Sequence, residues 1–131
     1  MTGIATAGDP HATLPGSELE PPTLQDVFLA RNVVDRYLKP TPLLYSEALS
    51  AKLGFDLWLK LESLQPIGAF KIRGGIYLIS KLSPEQKARG VVSASTGNHG
   101  QSIAYAGRLF GARVVICVPE NVNPIKAASM E

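Results

Sequence analysis

The chain has 131 residues, about the length of one domain, and 45% of them are hydrophobic, which is enough to form a core. Its formal net charge is +2, and because Lys and Arg form no run or stripe, we expect no nucleic acid among its partners. The single cysteine excludes a disulfide within the chain, and the apolar run around Cys117 predicts that this residue is buried in the core.

No segment approaches the ~20 apolar residues of a transmembrane helix, so we expect no membrane association. Residues 1–22 contain no Lys or Arg and no apolar h-region, so no secretory signal is predicted and the expected location is the cytoplasm. The same residues are rich in Gly, Pro, Thr and Ala, a composition that predicts a flexible N-terminal arm.

The first predicted helix begins after Thr23, an N-cap residue that is followed by Asp26 at the third helical position. Pro40 and Pro42 end this segment, because proline removes a backbone donor and restricts the residue before it. The apolar stripe of the helix is predicted to consist of Val27, Ala30, Val34, Tyr37 and Leu38.

An extended segment, residues 41–45, precedes a short helix that begins after Ser46 and ends at Gly54. A strand is then predicted within residues 56–62 by three leucines at every second position, Leu57, Leu59 and Leu61. A polar turn punctuated by glycine and proline follows over residues 63–69.

The next helix is predicted over residues 70–81. Gly74 and Gly75 each cost roughly 1 kcal/mol in a helix interior, so we expect that another backbone or a flat ligand approaches closely in return. One apolar stripe of this helix consists of Ile72, Ile76 and Ile79. A second stripe consists of Lys71, Gly75, Leu78 and Leu82.

A strand–helix–strand alternation is predicted for the rest of the chain. A capping-box pattern, Ser83, Pro84 and Gln86, begins a short helix that ends at Gly90. The elements that follow are predicted as a strand over residues 91–94, a helix over residues 98–110, a strand over residues 113–118 and a helix from about Pro124. This βαβ order predicts a parallel strand pair and the α/β fold class.

Lys71 is a candidate nucleophile. An ammonium group is expensive to bury without a partner. Burial therefore lowers the pKa of a lysine and favours its neutral amine form, which is a nucleophile. A functional role is favoured by its position on the first turn of a helix, after a Gly/Pro turn and on the stripe with Gly75 and Leu78. The alternative is an exposed helix lysine with no chemical role.

The turn at residues 95–101 is a candidate anion site. It follows a predicted parallel strand and begins a helix, whose unpaired N–H groups and dipole favour a negative charge. Ser95 and Thr96 contribute hydroxyls. Gly97 allows a close approach of the backbone, and Asn98 contributes an amide donor. The alternative is that Thr96 or Asn98 only caps the helix. A reactive amine beside an anion-binding turn indicates carbonyl chemistry on a negatively charged substrate.

Two motifs in the chain resemble those of a known family. Residues 60–62, Lys-Leu-Glu, and residues 65–74, Gln-Pro-Ile-Gly-Ala-Phe-Lys-Ile-Arg-Gly, are similar to the cofactor-lysine signature of the serine/threonine dehydratases. These are pyridoxal-phosphate enzymes of fold type II, the tryptophan-synthase-like fold. Residues 95–101, Ser-Thr-Gly-Asn-His-Gly-Gln, resemble the substrate-carboxylate loop of that family. The resemblance runs from about residue 24 to the end of the chain.

The resemblance implies a role for each matching residue. Lys71 would form the imine with pyridoxal phosphate and later act as the base at the substrate α-carbon. Phe70 would pack against the cofactor ring, and Asn98 would hydrogen-bond the ring hydroxyl oxygen. The substrate carboxylate would be held by Ser95, Thr96, Gly97, Asn98 and His99. No metal site is predicted.

The implied reaction is elimination of the β-hydroxyl of L-threonine or L-serine by an ammonia-lyase, which yields a 2-oxo acid and ammonia. Thr96 stands where many dehydratases carry alanine and serine racemases carry serine, so a racemase of the same family is an alternative. A lyase for a related hydroxy-amino acid is another. Cysteine synthases usually carry threonine where His99 stands, which disfavours β-replacement chemistry.

The implied architecture is the N-terminal part of a two-domain, three-layer α/β fold with a parallel sheet. Residues 23–89 would belong to the larger, cofactor-binding domain, and residues 90–131 would begin the smaller βαβ domain. Because family members are well over twice as long, we expect a C-terminal portion that carries the phosphate-binding loop, and a homo-oligomer (dimer or tetramer). The alternative from another functional class is a non-catalytic truncated module for folding or assembly.

Overall fold

The computed structural model describes residues 20–131, so the predicted N-terminal arm lies outside the described residues up to residue 19. The described part contains six α-helices, four strands and one 3-10 turn at Glu62–Leu64. In order, the helices and strands are α1 (Leu24–Val34), β1 (Leu43–Tyr45), α2 (Glu47–Leu53), β2 (Trp58–Lys60), α3 (Lys71–Ser80), α4 (Pro84–Arg89), β3 (Val91–Ala94), α5 (Asn98–Phe110), β4 (Val114–Cys117) and α6 (Pro124–Ala128).

Helix α1 begins at the capping box that the sequence predicts. The Thr23 hydroxyl accepts a hydrogen bond from the Asp26 amide at 3.2 Å, and the Asp26 carboxylate accepts one from the Thr23 amide at 2.8 Å. The bonds that the Asp26 carboxylate accepts from Thr23 lower the pKa of Asp26. The predicted stripe is confirmed at Val34 and Leu38, which are buried, but it is wrong at Val27 and Tyr37, which are 55% and 43% exposed. The helix ends at Val34, earlier than predicted, so the last two stripe residues lie beyond it.

Strands β1 and β2 form an antiparallel pair in which Leu43 faces Lys60 and Tyr45 faces Trp58. Helix α2 connects them and ends at Gly54, whose φ of 79° is the left-handed conformation that glycine adopts without strain. Both strands have three residues, so β2 is shorter than the segment that the alternating leucines predict.

The main core lies between α3, α5 and the end of α1. Ile72, Ile76 and Ile79 of α3 are fully buried and cluster with Val34, Leu38 and Ala106, which confirms the first predicted stripe of α3. The second stripe is confirmed at Gly75, which is buried, but wrong at Lys71 and Leu78, whose side chains are exposed.

Strands β3 and β4 pair in parallel, with Val91 opposite Val114 and Ala94 opposite Cys117, and α5 is the crossover between them. The predicted βαβ unit is therefore confirmed. Along β4, alternate residues are half-buried and exposed, because successive strand side chains point to opposite faces of the sheet. Cys117 lies on the exposed face together with Val115, so the prediction that Cys117 is buried is wrong.

Candidate active site

Lys71 is the first residue of α3, and its side chain is exposed. Side chains on a helix point back toward its N-terminus, so a lysine at the first position extends past the end of the helix rather than over its packed face. This explains why the expected burial of Lys71 is not observed. Its Nζ atom lies 5.2 Å from the centroid of the Phe70 ring, itself 58% exposed. Within residues 20–131, no carboxylate lies within 4.0 Å of this amine.

The loop before α5 is organised by the hydroxyl of Ser95. This oxygen accepts hydrogen bonds from the amides of Gly97, at 3.3 Å, and Gly100, at 2.9 Å. Gly97 is the N-cap residue of α5 and has no side chain to accept a bond, so the Ser95 hydroxyl, two residues earlier, satisfies the Gly100 amide of the first turn. The alternative in which Thr96 or Asn98 caps the helix is wrong.

The residues between Ser95 and Gly100 keep unused hydrogen-bonding groups. In the described chain, the side chains of Thr96, Asn98 and His99 are exposed and have no hydrogen-bond partner. The amides of Asn98 and His99 begin the helix and also have no partner there. The turn thus presents two helix N-terminal N–H groups together with a hydroxyl and an amide, which suits an anionic ligand.

Helices α3 and α5 bring Lys71 close to this turn. The hydroxyl of Ser102, on α5, donates a 2.6 Å hydrogen bond to the carbonyl oxygen of Lys71. A Cβ atom on Gly75 would lie only 2.6 Å from the carbonyl oxygen of Ser102, so the backbones touch at this point. Asn98 lies one turn before Ser102, about 6 Å along the α5 axis. The first turn of α3 and the first turns of α5 are therefore neighbours.

Gly74, the other glycine in α3, has a different environment. It is exposed, and a Cβ atom built on it would meet no heavy atom within 4 Å. The predicted close approach of a second backbone is therefore confirmed for Gly75. No backbone of the described residues approaches Gly74, where the alternative of a flat ligand stays a prediction.

An ion pair that the sequence motifs did not predict holds the start of α3. Arg73 donates two hydrogen bonds to the Glu62 carboxylate, at 2.9 and 2.8 Å, and the Thr41 hydroxyl donates a third at 2.6 Å. The Arg73 guanidinium is the main cause that lowers the pKa of Glu62 to about 2, and Glu62 in turn raises the pKa of Arg73. Both residues lie in the signature motif. Their opposite charges on either side of the Gly/Pro turn were the feature of the sequence from which this ion pair could have been predicted.

The last residue of the 95–101 motif, Gln101, contacts a different element. Gln101 donates a 2.8 Å hydrogen bond from Nε2 to the hydroxyl of Ser129, so this side chain connects α5 to the end of α6. Among residues 20–131, no three His, Cys, Asp or Glu side chains are placed to hold a metal ion. No helix in that range is long and apolar enough to cross a membrane.

Comparison with protein families matches residues 34–131 to a family described as "Pyridoxal-phosphate dependent enzyme". Among curated proteins, the chain is 40% identical over 108 residues to the L-threo-3-hydroxyaspartate ammonia-lyase of Saccharomyces cerevisiae. It is 43% identical over 97 residues to the L-threonine ammonia-lyase of Thermotoga maritima. The two matches cover 82% and 74% of this chain but 33% and 24% of the relatives, so the chain spans a third or less of their length.

Solved structures give the same result for the fold. The serine racemase of Dictyostelium discoideum matches with a TM-score of 0.77 and 34% identity, over 82% of this chain and 36% of that one. The maize serine racemase matches with a TM-score of 0.75 and 36% identity, over 79% of this chain and 32% of that one. A threonine deaminase also matches, with a TM-score of 0.73. The likeness confirms the predicted fold class, the N-terminal part of a three-layer, two-domain α/β fold with a parallel sheet.

Proposed function

This chain belongs to the family of pyridoxal-phosphate-dependent enzymes, and we propose that it provides the cofactor lysine and the substrate-carboxylate loop of an ammonia-lyase. The proposed substrates are L-threonine and L-serine, or a related hydroxy-amino acid, and the products are a 2-oxo acid and ammonia. Relatives named as ammonia-lyases for L-threonine and for L-threo-3-hydroxyaspartate support this reaction class.

The observation that carries the proposal is the position of Lys71 beside the start of α5. Its amine is exposed and has no carboxylate partner among the described residues, so it is accessible to a carbonyl compound. The unused N–H groups of Asn98 and His99 lie on the neighbouring helix. An aldehyde-bearing, anionic cofactor and an amino-acid carboxylate both match this set of donors.

Each residue has a defined part in the proposed reaction. Lys71 Nζ would hold the cofactor at its carbonyl carbon and, once displaced by the substrate amine, would accept the proton from the substrate α-carbon. Phe70 would pack beside the cofactor ring, and the side-chain amide of Asn98 would donate a hydrogen bond to the ring hydroxyl oxygen. When bound, pyridoxal phosphate supplies an electron sink for the pair released at the α-carbon.

The loop of residues 95–99 orients the substrate. Thr96, Gly97 and the backbone amides of Asn98 and His99 hold the carboxylate, while Ser95 keeps the loop in shape through its bonds to Gly97 and Gly100. A fixed carboxylate fixes the direction of the α C–H bond relative to Lys71 Nζ. Orientation of this kind contributes a large part of the rate in such reactions.

Racemisation is a second candidate function, and the observation that favours it is the exposed Thr96 hydroxyl. This hydroxyl has no hydrogen-bond partner in residues 20–131, so it is available to exchange a proton with a ligand. Solved structures described as serine racemase and aspartate racemase match the chain with TM-scores of 0.77 and 0.74. A racemase would return the proton to the α-carbon from the opposite face, without loss of the β-hydroxyl.

The test compares the wild-type protein at its full natural length with Lys71→Ala and the matched control Lys81→Ala. Lys81 directly follows α3 and also stacks on an aromatic ring, with its Nζ 5.1 Å from the centroid of Tyr77. With added pyridoxal phosphate, we expect a visible absorbance band in the wild type and in Lys81→Ala but not in Lys71→Ala. Turnover is measured as 2-oxo acid, ammonia and D-amino acid formed from L-threonine and L-serine.

The outcomes separate the candidates. Ammonia release that depends on Lys71 supports the lyase, and D-amino acid without ammonia supports the racemase. A band of equal strength in Lys71→Ala contradicts the assignment of Lys71. The absence of any band and any turnover in all three proteins would instead favour the non-catalytic module.

A further inference from the structure

We propose that Ser102 is a positioning residue that fixes the main chain of Lys71 relative to the loop of residues 95–99. The proposal rests on the proposed function, since it concerns how the cofactor lysine is held. Ser102 lies on the second turn of α5, and its hydroxyl reaches across to the first residue of α3. It contacts neither cofactor nor substrate in this proposal and acts only through Lys71.

The hydrogen bond of Ser102 is unusual in its partner. A serine within a helix commonly donates to the carbonyl three or four residues earlier in the same helix. Ser80 does so, because its hydroxyl bonds to the Tyr77 carbonyl at 2.7 Å. Ser102 is fully buried and bonds instead to the Lys71 carbonyl, 31 residues away in sequence, at 2.6 Å. The bond therefore joins two helices rather than bracing one.

Gly75 makes this bond possible. A side chain at Gly75 would overlap the Ser102 hydroxyl and lie 2.9 Å from its carbonyl carbon, so only glycine allows the two backbones to come this close. Gly75 is one turn after Lys71 on the same side of α3. The pair of contacts, at Lys71 and at Gly75, thus fixes both the separation of the helices and their relative rotation.

The loop of residues 95–99 is also fixed to α5, because the Ser95 hydroxyl accepts a hydrogen bond from the Gly100 amide. The path from Lys71 to the anion-binding turn then runs through Ser102 and one turn of α5 only. A loss of the Ser102 bond should therefore loosen Lys71 without altering the loop. Small displacements at a reacting group have large effects on bond formation, which is why this position is sensitive.

The test compares Ser102→Ala with Ser80→Ala in the protein at its full natural length. Both variants remove one hydroxyl that donates to a backbone carbonyl of α3. Each protein is titrated with pyridoxal 5′-phosphate and with pyridoxine 5′-phosphate, which lacks the aldehyde and cannot bond to Lys71. The readout is the ratio of the two dissociation constants, and thermal unfolding of the unloaded proteins is measured in parallel.

We expect Ser102→Ala to raise the dissociation constant of pyridoxal phosphate by about fivefold, the usual effect of one buried hydrogen bond. The dissociation constant of pyridoxine phosphate should stay unchanged. Ser80→Ala should leave the ratio at the wild-type value. Gly75→Ala, which separates the helices while it keeps the hydroxyl, should change the ratio in the same direction as Ser102→Ala. Ser102→Ala removes one oxygen atom and adds no volume, so it disturbs the packing less than Gly75→Ala, whose added methyl group would overlap Ser102.

An unchanged ratio in Ser102→Ala would overturn the proposal. This holds whether neither dissociation constant changes or both rise equally, which a purely structural role would produce. The failure of the proposed function would look different. In that case the wild type itself would show no Lys71-dependent preference for the aldehyde, as judged by the same titration of Lys71→Ala.

Discussion

At the scale of single residues, the Glu62 carboxylate connects three segments that are distant in sequence. It accepts two hydrogen bonds from Arg73 at the start of α3 and one from Thr41 before β1. The side chains of Glu62 and Arg73 are 17% and 31% exposed, so water only partly screens the pair. Removal of one partner leaves the other largely buried without its counter-charge, and this lowers the free energy of unfolding.

A first prediction concerns Glu62→Gln and pH. The folded pKa of Glu62 is about 2 and its ordinary value is 4.5, so the carboxylate stabilises the fold above pH 4.5 and loses this effect as the pH falls toward 2. We expect Glu62→Gln to lower the free energy of unfolding at pH 7 by about 1–3 kcal/mol. The difference from the wild type should shrink between pH 4.5 and pH 2.

Urea unfolding at several pH values measures this difference, and Glu47→Gln, at an exposed carboxylate in the first turn of α2, is the control. A difference that stays constant down to pH 2 would show that the Glu62 carboxylate is not the titrating group.

At the scale of elements, the buried residues of α5 are small except for Ile103, and this lets strands and helices approach it closely. Its buried positions are Gly100, Ser102, Ile103, Ala104, Ala106 and Gly107. A Cβ atom on Gly107 would overlap the Val114 side chain and lie 3.2 Å from the Ala112 carbonyl oxygen. A Cβ atom on Gly100 would lie 2.7 Å from Met130 Sδ and 3.2 Å from Ile116. The small residues thus set how closely α5 packs on β4.

A second prediction uses two helical glycines as a matched pair. Gly107→Ala places a methyl group against the stiff, β-branched Val114, so we expect it to reduce the free energy of unfolding by about 1–3 kcal/mol. Gly74→Ala adds a methyl group where nothing lies within 4 Å, so it should gain up to about 1 kcal/mol from helix propensity. Chemical denaturation measures both free energies of unfolding. A loss of stability in Gly74→Ala would contradict the prediction, because it would mean that another group packs against this position.

At the scale of the whole molecule, the described residues share a core that crosses the predicted division at residues 89 and 90. Ile72, Ile76 and Ile79 from α3 cluster with Ala106 from α5, and Val34 and Leu38 complete the cluster. The division into a larger domain, residues 23–89, and a smaller domain, residues 90–131, stays a prediction, as does the homo-oligomer. Whether the two parts unfold separately is a question of their local stabilities.

A third prediction addresses this question by native-state hydrogen exchange. Since α3 and α5 bury one another's faces at Gly75 and Ser102, we expect the amides of Ile76 and Ala106 to exchange with the same opening free energy. The amides of α4, which has no buried residue, should exchange at a lower one. An opening of α5 at lower denaturant than α3 would contradict the shared core and favour two separate units on either side of residue 89.

The starts of α1 and α4, the end of α2 and the order of the elements follow from the amino-acid sequence without reference to the fold, whereas α1 ends at Val34, before the prolines predicted to end it. Thr23 with Asp26 and Ser83 with Gln86 form the capping boxes that their spacing predicts, and Gly54 ends α2 in the left-handed conformation. These features depend on hydrogen bonds and backbone preferences within about four residues, so local sequence is sufficient to predict them. The motifs around Lys71 and residues 95–101 likewise predicted the family.

In contrast, only the tertiary structure shows which faces of the strands and helices are buried and which residues contact one another across the fold. Cys117 has the hydrophobic neighbours of a core residue, yet the pairing of β4 with β3 turns it to the exposed face. Ser102 and Lys71 meet across 31 residues, and Arg73 meets Glu62 across 11 residues. Contacts of this kind depend on how packed elements cross, which is set by the sum of many small side-chain contacts rather than by any short segment.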